Sequence, residues 1–369
     1  MDRDLSRRIA IARYFMVIGI VILHMPPFQP LRSFGNTPFD MLRGTLTFGV
    51  FRATVPFLTA VSAYLLFSSR LDQDVLKLFS KKVRTLVVPL LLWNLPMMPV
   101  LYFVQKYGYA SHGFSITLYP FVLGNWVDAA TGLFRMPLNY PLHFLRNLFA
   151  LAMLAPLIGV FLRKAPYCGL ALVCAVYWYN LDGDYLLRNA MLVMFYIGGL
   201  AAVRNWNLRR LDAAAPFLLI VFLGMAVAIA AFKVQNREWF AMLSPLFVWP
   251  CMSLLAPTRL GALLHKHSKA SFFTFLAHGP MLIFAWLLFQ KFGGNLPYFV
   301  FWTVTPIIVI PACVGAHLLF WKMLPSVAGV FLGDRGAAPR PEVSRLGGAM
   351  ASRTAGTGCE PAASKSSTA

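Results

Sequence analysis

Two ionisable side chains lie in the first apolar segment, residues 9–28, where a simple membrane anchor would carry none. Arg13 and His24 are eleven positions apart, which is about 16 Å along a helix and places both side chains on one face. An ionisable group in lipid costs about 2.5–3.5 kcal/mol and usually marks a site or pathway. Taken singly, Arg13 could extend to the headgroups and His24 could cap the helix before Pro26. Their shared face favours a function.

The pair fits acyl transfer. A neutral histidine can accept the proton of a hydroxyl as it attacks an activated carboxyl group, because imidazole titrates near neutral pH. Arginine can hold phosphate or stabilise an oxyanion. We therefore predict His24 as the general base and Arg13 as an orienting or donor-binding group. The sequence contains no GxSxG, HExxH or P-loop motif, so hydrolase, zinc-protease and NTPase functions lack support.

Further basic residues interrupt apolar segments. All thirteen acidic residues lie in loops, termini or segment edges, so the embedded arginines need carbonyls, water or an anionic ligand. A donor with phosphates would supply that charge. Arg52 is predicted to stabilise charge during catalysis, and His143 and Arg146 to bind the acceptor. An interfacial histidine and an arginine reaching outward would explain the last two equally well.

Depth separates these residues into two groups. Counted from the ends of the predicted spans, Arg13 and His278 lie nearer the cytoplasm, and we expect both to bind the donor. His24, Arg52 and His143 lie in the outer half, where they would form an acceptor pocket with Arg146.

The elements that position these residues are membrane helices. Of the 369 residues 59% are hydrophobic and 12% charged, with a mean hydropathy of +0.65, more apolar surface than a soluble core can use. The sequence predicts an all-α polytopic membrane protein with about ten transmembrane helices. These spans are about 9–28, 46–69, 84–104, 141–162, 166–181, 189–203, 213–233, 239–256, 271–290 and 298–321.

The basic residues predict the topology. A net charge of +20 could indicate nucleic-acid binding, but these residues are scattered between apolar runs. With the N-terminus inside, 22 of the 33 Lys and Arg face the cytoplasm and 8 face outward, which favours two cytoplasmic termini. No cleavage site follows the first segment, so we do not interpret it as a signal peptide.

Two regions between and beyond the spans have distinct compositions. The connection from about 105 to 140 is apolar enough to lie on the membrane or dip into it, or it is a plain loop. Residues 1–325 are predicted to form the transmembrane domain. Residues 326–369 are predicted to be a disordered cytoplasmic tail, because their Gly, Ala, Ser, Thr and Pro cannot bury a core. The five cysteines lack metal-site spacing, and neither a metal site nor a disulfide framework is expected.

Five sequence stretches resemble the acyltransferase 3 family of integral membrane proteins. They are Arg13-x10-His24, RATVPFLTAVSAYLLF (52–67), KKVRTLVVPLLLW (81–93), PLHFLRNLFAL (141–151) and SFFTFLAHGPM (271–281). Together they cover roughly residues 5–325 in the family's order. Two departures are His143 in place of the usual Trp and Ala63 in place of a Gly.

The resemblance implies a bacterial inner-membrane enzyme. It would move an acetyl or other short acyl group from cytoplasmic acetyl-CoA or another acyl-CoA to a sugar hydroxyl, without a metal. His24 and Arg13 would be the leading pair and Arg52 the next residue. No SGNH-type domain follows, so we expect the stand-alone type. For this type the resemblance implies exopolysaccharide or its lipid-linked repeat unit as the acceptor. The expected partners are membrane lipid and other exopolysaccharide assembly proteins, and nucleic acid is not expected as a partner.

Two alternatives stay open. A transporter or flippase of anionic glycolipids would also hold arginines in the membrane, to bind without reacting. Succinyl transfer instead of acetyl transfer would need an added cationic contact, which Arg146 or His143 could provide.

Overall fold

A computed structural model describes residues 2–108, 116–179, 181 and 190–333. This part of the chain is helical and contains no strand. Its α-helices are α1 (Arg3–Leu23), α2 (Pro38–Gly44), α3 (Thr54–Ser68), α4 (Val75–Lys82), α5 (Val88–Asn94), α6 (Met97–Lys106), α7 (Leu123–Thr131), α8 (His143–Lys164), α9 (Pro166–Trp178), α10 (Met191–Val203), α11 (Ala215–Ala231), α12 (Glu238–Leu255), α13 (Arg259–His267), α14 (Ser271–Phe292), α15 (Tyr298–Met323) and α16 (Pro325–Phe331).

The predicted all-α membrane architecture is confirmed, whereas the count of about ten spans is not. Within the described residues, seven helical segments are long and apolar enough to cross a membrane. They are Pro38–Ser68, Val75–Lys106, Tyr140–Lys164, Asp212–Ala231, Glu238–Leu255, Arg259–Phe292 and Tyr298–Met323. The remaining predicted spans coincide with α1, which carries four arginines, and with the shorter apolar helices α9 and α10.

The core lies around α1, α3 and α10. Helix α1 packs against α3, α13 and α14, and α3 packs along α10. The α3–α10 contact is close because Gly198 of α10 faces the backbone of Ala60. A Cβ added at Gly198 would lie 2.8 Å from the Ala60 carbonyl carbon, so this crossing requires glycine.

The helix that precedes α3 changes its winding before it reaches Arg52. A π-helical segment spans Thr45–Gly49 and a 3₁₀ segment spans Val50–Ala53. π-Helical turns inside longer helices occur frequently at functional sites. A second π segment, Val83–Val87, joins α4 to α5.

An ion pair with one buried partner fixes the turn between α3 and α4. Asp72 is 3% exposed and accepts a hydrogen bond from Arg163 of α8. Burial raises the pKa of the Asp72 carboxyl, and the adjacent Arg163 guanidinium acts in the opposite direction.

The described part of the connection after α6, residues 116–139, packs on the bundle. Its α7 contacts α5 and α6, and Leu118 and Ala129 are fully buried in a small apolar cluster with Met98 and Leu101. Whether it touches the membrane stays a prediction. The chain continues past 325 as α16, and the tail beyond 333 lies outside the described residues.

Candidate active site

His24 lies directly after the last turn of α1. Its backbone N–H donates to Ile20 O at 3.1 Å, and the helix ends here because Pro26 and Pro27 cannot continue it. The His24 ring meets the Tyr140 ring edge-on, with centroids 5.0 Å apart. The Tyr140 hydroxyl donates to His24 O at 3.3 Å. The imidazole is thus held by α1 and by the start of the α8 segment.

A second histidine contacts the first. His278 Nε2 lies 3.1 Å from His24 Nδ1, and the two rings stack with centroids 5.3 Å apart. His278 is fully buried. Its Nδ1 lies 2.8 Å from Phe275 O and 3.2 Å from Thr274 O.

These contacts fix the tautomers of both neutral rings. Carbonyl oxygens only accept hydrogen bonds, so His278 Nδ1 carries the proton and His278 Nε2 is an acceptor. His24 Nδ1 must then donate to His278 Nε2. The remaining nitrogen, His24 Nε2, therefore has a free lone pair, as a general base requires.

The predicted depth of His278 is wrong, because the structure places this residue at the level of His24. The helical segment begins at Arg259, twelve residues before Ser271. Counted from Arg259, His278 is nineteen residues along, comparable with the position of His24 after Arg3 of α1. The apolar run begins only at Ser271, so hydropathy alone places His278 too close to the start of its helical segment.

His24 lines a cavity of about 460 Å³. Arg52 and His143 line it as well, so these two predicted residues join His24. The His143 Nδ1 donates to Tyr140 O at 2.7 Å, which leaves His143 Nε2 as the acceptor of the neutral ring. Other polar lining residues are Gln29, Arg43, Thr47 and Tyr140.

Arg43 and Tyr140 were not predicted as site residues. Arg43 is 6% exposed; its guanidinium lies 4.4 Å from the Phe34 ring centroid and 4.9 Å from that of Tyr298. The available signal was Thr37 followed by Pro38, a helix start that places Arg43 inside a helix instead of a loop.

Arg13 lines a separate, narrow cavity of about 70 Å³. Ser62 and Ser271 share it, and His278 lines neither cavity. Within the described residues Arg13 has no hydrogen-bond or ion-pair partner. The structure therefore brings Arg13 together with two hydroxyl groups, about 16 Å along α1 from His24.

Arg146 lies away from both cavities. It donates to the carbonyl oxygens of Gly132 and Arg135 and, through Nε, to Asn147 Oδ1 at 3.0 Å. Its contacts with Gly132 and Arg135 hold the turn after α7.

The larger cavity is cationic. It is lined by Arg43 and Arg52, and no Asp or Glu belongs to its lining. The described part of the chain also holds no cluster of three His, Cys, Asp or Glu suited to a metal ion. The site therefore combines a histidine base with guanidinium groups, which suits reactions that develop negative charge on oxygen.

Comparison with known proteins agrees with this chemistry. The sequence model of an acyltransferase domain, Acyl_transf_3, matches residues 7–321. The chain is 30% identical over 366 residues to the succinoglycan biosynthesis protein ExoH of Rhizobium meliloti (strain 1021), which covers 95% of this chain and 98% of that protein. No solved structure matches the chain significantly. The chain therefore belongs to the acyltransferase 3 family and is an O-acyltransferase.

Proposed function

We propose that the protein transfers a short acyl group, acetyl in the simplest case, from a cytoplasmic acyl-CoA to a sugar hydroxyl of an exopolysaccharide or its lipid-linked repeat unit. The observation that carries this proposal is the hydrogen-bonded chain from Phe275 O through His278 to His24. It presents an unprotonated nitrogen at a cationic cavity. The name of the relative, a succinoglycan biosynthesis protein, supports a polysaccharide acceptor.

In the reaction, His24 Nε2 accepts the proton of the sugar hydroxyl while that oxygen attacks the thioester carbonyl. The new C–O ester bond forms, the C–S bond breaks, and the proton passes from His24 to the departing thiolate. His278 keeps the base in its reactive tautomer by accepting from His24 Nδ1. Arg52, in the same cavity, stabilises the oxyanion of the tetrahedral intermediate.

The donor is assigned to the Arg13 side of α1. Arg13 is a charged group without an ion-pair partner among the described residues, and such a group needs an anion. The phosphates of an acyl-CoA fit that need. With the N-terminus in the cytoplasm of a bacterial inner membrane, the Arg13 cavity faces the donor pool and the His24 cavity faces the acceptor. His143 joins the acceptor side, and Arg146 holds the turn after α7.

The test uses a strain that lacks the native gene. Polymer from cells expressing the wild-type chain is hydrolysed with mild base and the released acyl groups are quantified. We expect His24→Ala to abolish these groups while export of polymer stays normal. His265→Ala, at an exposed histidine of α13, is the matched control and should be fully active.

The same strain distinguishes an enzyme function from a transporter function. If His24→Ala stopped export while the polymer that remained kept its acyl groups, the residues would bind an anionic glycolipid without reacting with it. That result would contradict the proposal.

A further inference from the structure

The larger cavity holds more positive charge than acyl transfer requires. Arg43 and Arg52 line it. Arg237 lies 5.0 Å from the centroid of the lining residue Phe48, and its Nε is buried and unpaired. Since no carboxylate belongs to the lining, and Arg52 alone can serve the oxyanion, the charge of Arg43 is unexplained by the reaction.

Arg43 has capacity to bind a ligand. Its Nη1 donates to Gln29 Oε1 at 2.9 Å and its Nη2 to Pro27 O at 3.1 Å. A guanidinium has five N–H donors, so three remain. Within the described residues Arg43 forms no ion pair at 4 Å or less.

The position of Arg43 suits the binding of an anion through two of its oxygens. The rings of Phe34 and Tyr298 lie 4.4 Å and 4.9 Å from its central carbon and so restrict the plane of its fork. A planar fork with a free donor on each Nη matches the two oxygens of a carboxylate. A cavity of about 460 Å³ has room for a sugar ring and a short charged group.

We propose that Arg43 binds a carboxylate carried by one of the two substrates. This inference rests on the acyl transfer proposed above. The carboxylate has two possible sources. It is either the far end of a dicarboxylic acyl group, as in a succinyl thioester, or the acid group of a sugar in the acceptor. In both cases Arg43 is a specificity-determining residue and takes no part in bond making.

The experiment measures kcat/KM for the full chain in lipid nanodiscs with four substrate pairs. The donors are acetyl-CoA and succinyl-CoA. The acceptors are an acidic exopolysaccharide oligosaccharide stripped of acyl groups and its carboxyl-reduced form. We expect kcat/KM of the wild-type chain to be about ten-fold or more higher for the charged member of the donor pair or of the acceptor pair. A preference for succinyl-CoA over acetyl-CoA places the carboxylate on the acyl group. A preference for the acidic over the carboxyl-reduced acceptor places it on the sugar.

Variants then assign the preference to Arg43. In Arg43→Gln the ratio of kcat/KM for the charged substrate to kcat/KM for the uncharged one should fall by about ten-fold or more. Arg43→Lys should keep part of this preference. The matched control is Arg32→Gln, at an exposed arginine between α1 and α2 that lines neither cavity. Its ratio should equal that of the wild-type chain.

A measurement on the wild-type chain covers the case in which Arg43→Gln does not fold. Succinate should inhibit transfer at a concentration about ten-fold or more below that of its uncharged diamide. Equal rates for charged and uncharged substrates in both arms, an unchanged ratio in Arg43→Gln, or equal inhibition by acid and diamide would overturn the inference. Absence of transfer from either donor to either acceptor would overturn the proposed function instead.

Discussion

His24 depends on His278 for its chemistry, since the second ring decides which nitrogen of the first is free. The 3.1 Å contact between them and the 2.8 Å contact to Phe275 O resemble the way a buried partner orients a catalytic imidazole elsewhere. His278 is therefore a positioning residue. Its complete burial means that it reaches substrate only through His24.

Replacing His278 tests this dependence. In His278→Leu the acceptor for His24 Nδ1–H is lost, so we expect kcat to fall by about 100-fold or more with KM for donor and acceptor nearly unchanged. His278→Gln can accept from His24 with its amide oxygen and donate to Phe275 O with its amide nitrogen. We expect it to recover a substantial part of kcat. Equal losses in the two variants would indicate a purely structural role.

Arg13 acts on the donor by this account. Loss of a hydrogen bond to a charged group costs about 1.5–3 kcal/mol, so Arg13→Gln should raise KM for acyl-CoA by about ten-fold or more. Arg13→Lys, which keeps the charge, should show a smaller change. The measurement is initial rate against donor concentration at saturating acceptor. An unchanged donor KM with full activity would remove Arg13 from the donor site.

At the scale of helices, sequence patterns predicted which segments are helical. They did not predict in which direction the side chains of successive helical segments face. Nine residues of regular α-helix separate two side chains by half a turn, so Arg43 and Arg52 would face opposite sides. The π and 3₁₀ segments between them break that regular phase, and both residues line one cavity. No residue pattern in 45–53 indicates this change of helix winding.

The contact of α3 with α10 supports the segment that carries Arg52. Gly198→Ala would force the helices apart because an added Cβ overlaps Ala60. Overpacking of this kind costs about 1–3 kcal/mol, so we expect a lower melting temperature in detergent and lower activity. Gly224→Ala in α11 is the matched control, since its Cβ would meet nothing within 4 Å. Equal melting temperatures for both variants would show that α3 and α10 are not held at this contact.

For the whole molecule, bulk composition was sufficient to predict a helical membrane protein, and the motif order was sufficient to predict the family. The pairing of His24 with His278 was not predictable in the same way. These residues are 254 positions apart. They reach the same depth only because α13 and residues 268–270 precede α14 in one helical segment that starts at Arg259. Side-chain contacts between distant helices depend on such offsets, which hydropathy does not encode.

Topology is a property of the whole chain and has its own test. Two exposed residues, Ser33 and Thr258, lie on opposite sides by the charge distribution. In a chain whose five native cysteines are replaced, Ser33→Cys should react with a membrane-impermeant maleimide in intact spheroplasts. Thr258→Cys should react only after permeabilisation, because basic loops stay inside. The reverse labelling pattern would place the Arg13 cavity on the side of the membrane away from the cytoplasmic acyl-CoA.

The most direct test of the central claim is a single-turnover assay with the purified chain in nanodiscs. A donor labelled in its acyl group is mixed with deacylated oligosaccharide, and labelled ester is followed by mass spectrometry. We expect the wild-type chain to form the sugar ester and His24→Gln to form it at least about 100-fold more slowly, with unchanged donor binding. Ester formation at the wild-type rate by His24→Gln would contradict the account.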